Sequence, residues 1–166
     1  MKILFISNYY PPHEVGGYEQ LCRDVVERMA QRGHETHVLT SNRGMKSGAA
    51  PGETYPVYRV LAIQPDYEHW LNPTWQFFLT RPQVARSNQR HLYHIVQQVR
   101  PDLIFFWNLQ GLTRKLVVSA ESMPGVAVAY WLQVTPHPNL RNSGGIGRLY
   151  PKSAPILDQS RWGFAI

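Results

Sequence analysis

Lys2-Ile-Leu-Phe-Ile-Ser7, running on through Asn8-Tyr-Tyr-Pro-Pro-His-Glu-Val-Gly-Gly-Tyr18, decides the fold. The first six residues form an apolar run of strand length, and Pro11-Pro12 with Gly16-Gly17 punctuate the loop behind it. From Tyr18 the apolar positions switch to helical spacing. Tyr18, Leu21, Cys22, Val25 and Met29 are expected on one buried stripe, with Glu19, Arg23, Asp24, Glu27 and Arg28 turned to water. Gly33 closes that helix, and Arg28 and Arg32 in its last turns complement the negative end of the dipole. His34 to Thr40 then reads as a second strand, with Val38 and Leu39 in the core. A strand, a helix and a second strand in this order make a right-handed parallel unit.

The loop carries the first chemical expectation. Beyond the carboxyl ends of a parallel sheet, a helix N-terminus presents unpaired N–H groups to an anion, and a glycine pair lets a phosphate come close to the backbone. A tight turn into the helix would account for Gly16 and Gly17 equally well, and both readings stand at this point. No G-x-G-x-x-G follows the strand, and Ser41-Asn42 stand where a ribose-binding carboxylate would be. A G-x-x-x-x-G-K-[ST] loop is also absent.

The rest of the chain repeats the pattern. Val57 to Ala62 is a third strand candidate, after a Gly- and Pro-rich loop from Arg43 to Glu53. Between Gln64 and Thr80 lie Tyr67, Trp70, Trp75, Phe77 and Phe78, read as a satellite core or as a sugar or membrane platform. A helix is expected from Pro82, carrying Val84, Ala85, Leu92, Ile95, Val96 and Val99, and ending before Pro101. Asp102 to Trp107 is the strongest strand, an unbroken apolar run expected at the centre of the sheet with both faces covered. Asn108 to Thr113 forms a second carboxyl-end loop, and Thr113 is placed to cap a short helix through Glu121. Val126 to Trp131 is a further strand, and Gln133 to Pro138 a third loop expected to converge with the other two on one cleft. Asn142 to Gly147 reads as a glycine-rich loop, and Pro151 to Ile166 stops without a capped element.

Composition bounds the class. With 166 residues, 43% hydrophobic and 17% charged, the chain describes one globular domain with a real core. Its single cysteine, Cys22, excludes an internal disulfide and falls on the apolar stripe, which makes it a buried thiol. No stretch reaches membrane-spanning length and no signal peptide is evident, so a cytoplasmic location is the default expectation. No metal site or cofactor is expected. The net charge of +6 is local: residues 81–120 hold six Lys/Arg against one acid, while residues 1–40 hold four against five. That excess suits a phosphate-bearing partner or a solvated face.

Lys2-Ile-Leu-Phe-Ile-Ser, Tyr9-Tyr-Pro-Pro, Gly16-Gly17, Met29-Ala-Gln-Arg-Gly-His-Glu-Thr-His-Val and Pro101-Asp-Leu-Ile together resemble the N-terminal domain of the family 4 glycosyltransferases. The likeness covers about residues 1 to 132. It implies an α/β fold, a Rossmann-like parallel sheet with helices on both faces, forming the N-terminal half of the two-domain GT-B architecture. It also implies retaining transfer from a nucleotide sugar, which is a co-substrate rather than a cofactor. The donor diphosphate would meet Gly16, Gly17 and Tyr18, and the acceptor cleft would be shaped by Asn8, Tyr9, His13, Asn108, Gln110, Trp131 and His137. His13 and His137 read equally as surface histidines. Members commonly carry a histidine just after the strand aligned with Val126 to Trp131, where this chain has Trp131-Leu132-Gln133, so no catalytic residue is assigned.

The resemblance places the nucleotide-sugar domain outside these 166 residues. An acceptor-side domain, incomplete at its C-terminus, is expected to be inactive without that second domain in cis or in trans. Its partners would be a sugar or glycolipid acceptor and a membrane surface reached peripherally, with nucleic acid less favoured. The competing expectations are a non-catalytic carbohydrate- or anion-binding module, and a membrane-surface or nucleic-acid binder that uses the basic helix Arg81 to Arg100.

Overall fold

The structure, a computed structural model, describes residues 1–13, 16–43, 54–64 and 75–131, with the side chains of 75–80 left aside. Among these residues the elements are β1 (Lys2–Ser7), α1 (Gly17–Gln31), β2 (Glu35–Ser41), β3 (Val57–Leu61), α2 (Trp75–Val99), β4 (Leu103–Asn108), α3 (Arg114–Glu121) and β5 (Ala127–Tyr130). The five strands form one sheet in the order β3-β2-β1-β4-β5, and every pairing is parallel. The order reverses between β1 and β4. Such a switch point opens a crevice outside the carboxyl ends of the two strands, where α/β proteins bind ligands.

Alternation along β1 explains the two-sided core. Ile3 and Phe5 pack with Cys22 and Val26 of α1 on one face. Leu4 and Ile6 pack with Leu92 and Ile95 of α2 and Leu116 of α3 on the other. Helices therefore cover both faces, and the unbroken apolar runs of β1 and β4 follow from burial on both sides. Residues 103–108 form an interior strand, but the middle position belongs to β1. Hydrophobicity reports how thoroughly a strand is covered, and both interior strands satisfy that condition, so it does not rank them.

Two helix expectations need correction. In α1 the buried positions are Glu19, Cys22 and Val26, while Leu21 is 43% exposed. Glu19 is only 4% exposed because its Oε2 accepts the Gly16 N–H at 3.0 Å, an interaction that draws the carboxylate in to the start of the helix. The second correction concerns α2, which starts at Trp75 and so holds Pro82 in its interior instead of opening on it. A proline's missing N–H marks a helix start only when no turn precedes it. Gly33 closes α1 as expected, with φ of +84° and its N–H donated to the Ala30 carbonyl.

Candidate functional site

At the switch point the first loop is bound tightly to its neighbours. Asn8 is buried: its Oδ1 accepts the Tyr9 N–H at 2.8 Å and its Nδ2 donates to the Gln110 carbonyl at 3.0 Å. The Asn8 N–H donates to the Asn108 carbonyl at 2.9 Å, and its own carbonyl accepts the Ser41 N–H at 3.3 Å. One asparagine thus joins the ends of β1, β2 and β4. Its polar atoms are spent on the protein, so its contribution to the crevice is to hold the loops in place. Tyr9 is also buried, with its hydroxyl accepting from Arg43 Nη1 at 2.6 Å and the guanidinium 5.4 Å from its ring centre. His13, half-buried, lies with its ring 6.4 Å from that of Tyr9 and donates its backbone N–H to the Tyr10 carbonyl.

The glycine pair takes ordinary backbone. Gly16 has φ of −175°, which any residue adopts, and a Cβ added at Gly16 or Gly17 meets nothing within 4 Å. Both are exposed. A tight turn is therefore not what requires them. Since α1 begins at Gly17, the N–H groups of Gly17 and Tyr18 lie in its first turn, where no carbonyl within the helix can accept them. Glu19 takes the Gly16 N–H from beneath. Tyr18 is held by Trp107, whose Nε1 donates to the Tyr18 carbonyl at 3.1 Å with the two rings 5.7 Å apart. Burial, with Cys22 and Glu19 nearby, pushes the Tyr18 phenol up to about 12. The Cys22 thiol is raised further by its own burial and by Glu19, which makes it a neutral core group.

The second loop is shaped by Asn108, whose Oδ1 accepts the Gln110 N–H at 3.0 Å, and by Gly111 at φ of +76°. The Gln110 side chain is exposed, and the Asn108 side chain is half-buried. Thr113 is the residue before α3, but its hydroxyl makes no capping bond. The cap expected from its type and position is not formed. Thr113 Oγ1 and Gln64 Nε2 are both buried without a hydrogen-bond partner, while the Gln64 N–H donates to the Gly111 carbonyl at 3.0 Å. Unfilled, each such group costs about 1–3 kcal/mol. At the end of β5, Trp131 stacks on Trp107 with centroids 4.9 Å apart and planes at 10°, which links the β5 end through Trp107 to Tyr18.

Tyr18, Trp107 and Trp131 therefore form one aromatic row on the α1 side of the crevice, while Asn8, Asn108 and Gln110 are joined at the switch point. His137, the third loop, the glycine-rich Asn142 to Gly147 and the aromatic side chains from Tyr67 to Phe78 lie outside the described residues. Two residues are not evident from the sequence. In the linear pattern Trp107 is only the end of an apolar strand. Arg59 is buried beneath the first loop, donating from Nη1 to the Tyr10 carbonyl at 3.2 Å and from Nη2 to the Pro11 carbonyl at 2.6 Å. The signal was an arginine alternating with Val57 and Leu61 on a strand, a core position for a charged residue. Among the described residues no group of three or more His, Cys, Asp or Glu is placed to hold a metal, and no helix is long and apolar enough to cross a membrane.

No curated protein matches this chain. A family model described as Glycosyltransferase Family 4 matches residues 15–141, from the glycine pair through β5 and beyond. That span covers most of the 166 residues and includes the first-turn N–H groups of α1, the β4 loop and the aromatic row. The chain belongs to glycosyltransferase family 4.

Proposed function

We propose that this chain is the acceptor-side, N-terminal half of a GT-B glycosyltransferase that transfers a sugar from a nucleotide-sugar donor with retention, and that a second domain supplies the nucleotide site. The observation that carries the reading is the open space in front of Gly16 and Gly17. Glycines that no backbone angle demands are explained by a group that must approach the chain closely, and the start of α1 suits a diphosphate.

The mechanism this supports is electrostatic. The Gly17 and Tyr18 N–H groups would receive the charge that develops on the leaving diphosphate, at donors already fixed by α1 and by the Trp107 anchor on Tyr18. On the β4 side, Asn108 and Gln110 would orient the acceptor hydroxyl, and Trp131 would offer an aromatic face to a sugar ring. Retaining transfer needs the donor's anomeric carbon held against the acceptor, which requires groups on both sides of the cleft. On its own, the chain is therefore expected to bind weakly and not to turn over.

The test is an amide NMR titration of the chain with pyrophosphate and a panel of nucleotide-diphosphate sugars. The Gly17 and Tyr18 amides should move, and Gly17→Val should abolish the response while leaving the spectrum folded. An unaltered response in that variant removes the first loop from the site. In parallel, the intact mass of the polypeptide from its native source is expected near twice 19.1 kDa, or at 19.1 kDa with a partner that co-purifies. A lone species at 19.1 kDa would favour a non-catalytic binding module.

A further inference from the structure

We propose that the start of α3 is a second anion site, separate from the glycine loop, and that it takes a phosphate group. α3 packs with α2 on one face of the sheet, whereas α1 and its glycine pair lie on the other. Thr113 stands just before the helix with extended backbone, yet its hydroxyl makes no capping bond. Gln64 arrives from elsewhere in the chain, beyond β3. Its backbone N–H donates to the Gly111 carbonyl at 3.0 Å, which sets it against the turn leading into α3. Thr113 is 7% and Gln64 6% exposed, and Thr113 Oγ1 and Gln64 Nε2 are both buried without a hydrogen-bond partner.

The helix start lacks its usual stabilisers as well. The Leu116 N–H donates to the Thr113 carbonyl at 3.0 Å, but no carbonyl within the helix can accept the N–H groups of Arg114 and Lys115. The first turn of α3 carries no acid, whereas α1 draws Glu19 to its own start. In that turn stand the side chains of Arg114 and Lys115, both exposed, where the helix dipole disfavours cations. Neither takes part in the salt bridges among the described residues. Helix stability therefore accounts for none of these choices.

Every group gathered here can donate, and what they lack is an acceptor. The glutamine amide nitrogen, the two backbone N–H groups and both cations can only donate, and the threonine hydroxyl is free to do so. Packing does not require the polar atoms either, because valine and leucine would fill the same places without burying an orphaned donor. An oxyanion answers all of these features at once. A carboxylate offers two oxygens and about four acceptor positions, fewer than the donors present, whereas a phosphate adds a third oxygen and a charge of about −2. On the glycosyltransferase reading, on which this step alone rests, the donor diphosphate occupies the start of α1 and the phosphate at α3 belongs to the acceptor. The acceptor is then a phosphorylated sugar or polyol whose reacting hydroxyl lies by Asn108 and Gln110, in the loop that joins β4 to α3.

The test is an amide NMR titration of the 166-residue chain with methyl phosphate, inorganic phosphate and acetate, followed at the Arg114 and Lys115 amides. Both phosphates should move those amides and bind more tightly than acetate. Thr113→Val and Gln64→Leu should each weaken methyl phosphate by about tenfold or more, the loss expected when one hydrogen bond to a charged group is removed, while Thr113→Ser should bind as the unsubstituted chain does. Stability separates a binding role from a structural one. Both side chains bury orphaned polar atoms in the free chain, so Thr113→Val and Gln64→Leu should raise the urea midpoint while they lose the ligand. Gly17→Val should leave the α3 response intact, so failure of the glycine-loop site is read apart from failure of this one. Acetate binding as tightly as methyl phosphate, or full binding by Thr113→Val and Gln64→Leu, would overturn the site. So would a lowered midpoint in both variants with binding per folded molecule unchanged. A response to inorganic phosphate with none to methyl phosphate would overturn its assignment to a phosphorylated acceptor.

Discussion

Replacing Gly17 and Gly33 in turn by alanine should shift stability in opposite directions, although both glycines border α1 and neither is crowded. Gly17 is the first residue of the helix, and a Cβ there meets nothing within 4 Å. Alanine is better than glycine in a helix by up to about 1 kcal/mol, somewhat less at a terminus, so Gly17→Ala is expected to stabilise the fold by about 0.5–1 kcal/mol. Gly33 has equal space but sits at φ of +84°, where a Cβ costs about 1–2 kcal/mol. The two variants should therefore differ by about 2 kcal/mol, or roughly 4–8 °C in Tm for a domain of this size. Urea unfolding followed by circular dichroism reads the difference, and the pyrophosphate titration reads the site. Gly17→Ala should be more stable yet bind more weakly, and Gly33→Ala less stable with unchanged binding per folded molecule. Loss of a kilocalorie in Gly17→Ala would show that backbone geometry requires this glycine and would refute the reasoning. Greater stability with undiminished binding would place the anion elsewhere.

Three further outcomes are expected. Arg59→Met should cost about 2–3 kcal/mol in urea unfolding, because charge-assisted bonds to the Tyr10 and Pro11 carbonyls are lost inside the protein; a change within experimental error would show that the first loop holds its own shape. Arg100, which follows α2 at φ of +52°, should be improved by Arg100→Gly, with about 1 kcal/mol gained in the same assay. Tyr18 has a phenol raised in the folded state, so its contribution to stability is present below pH 10 and lost as pH climbs toward 12. Ultraviolet titration of the chain against Tyr18→Phe should place the difference in phenolate absorbance near pH 12, and a difference centred near pH 10 would mean that the ring is more solvated than its contacts with Trp107 imply.

Much of this molecule was legible before folding. β1, the close of α1 at Gly33, the Val38-Leu39 core pair and the end of α2 at Val99 all follow from periodicity and from glycine and proline punctuation, which are local properties of the backbone. Leu21 and Glu19 exchanged their expected places because a helical stripe predicts only the average direction of burial, while one hydrogen bond to Gly16 drew a carboxylate inward.

By itself, the sequence determined an α/β chain with a glycine loop at the first strand's carboxyl end and a basic second half, because spacing and residue type are enough for these. Only the tertiary structure decided which side chains meet. The Asn8 bridge to Gln110 spans 102 residues and the bond from Trp107 to Tyr18 spans 89, separations at which chain proximity carries no information and the order of strands in the sheet carries all of it. It also decided that neither crowding nor a left-handed backbone requires Gly16 and Gly17, whereas Gly33 serves its own φ of +84°. Whether a Gly serves its own φ or leaves room for another molecule depends on the backbone angle and on the atoms around it, and neither is encoded in the letter.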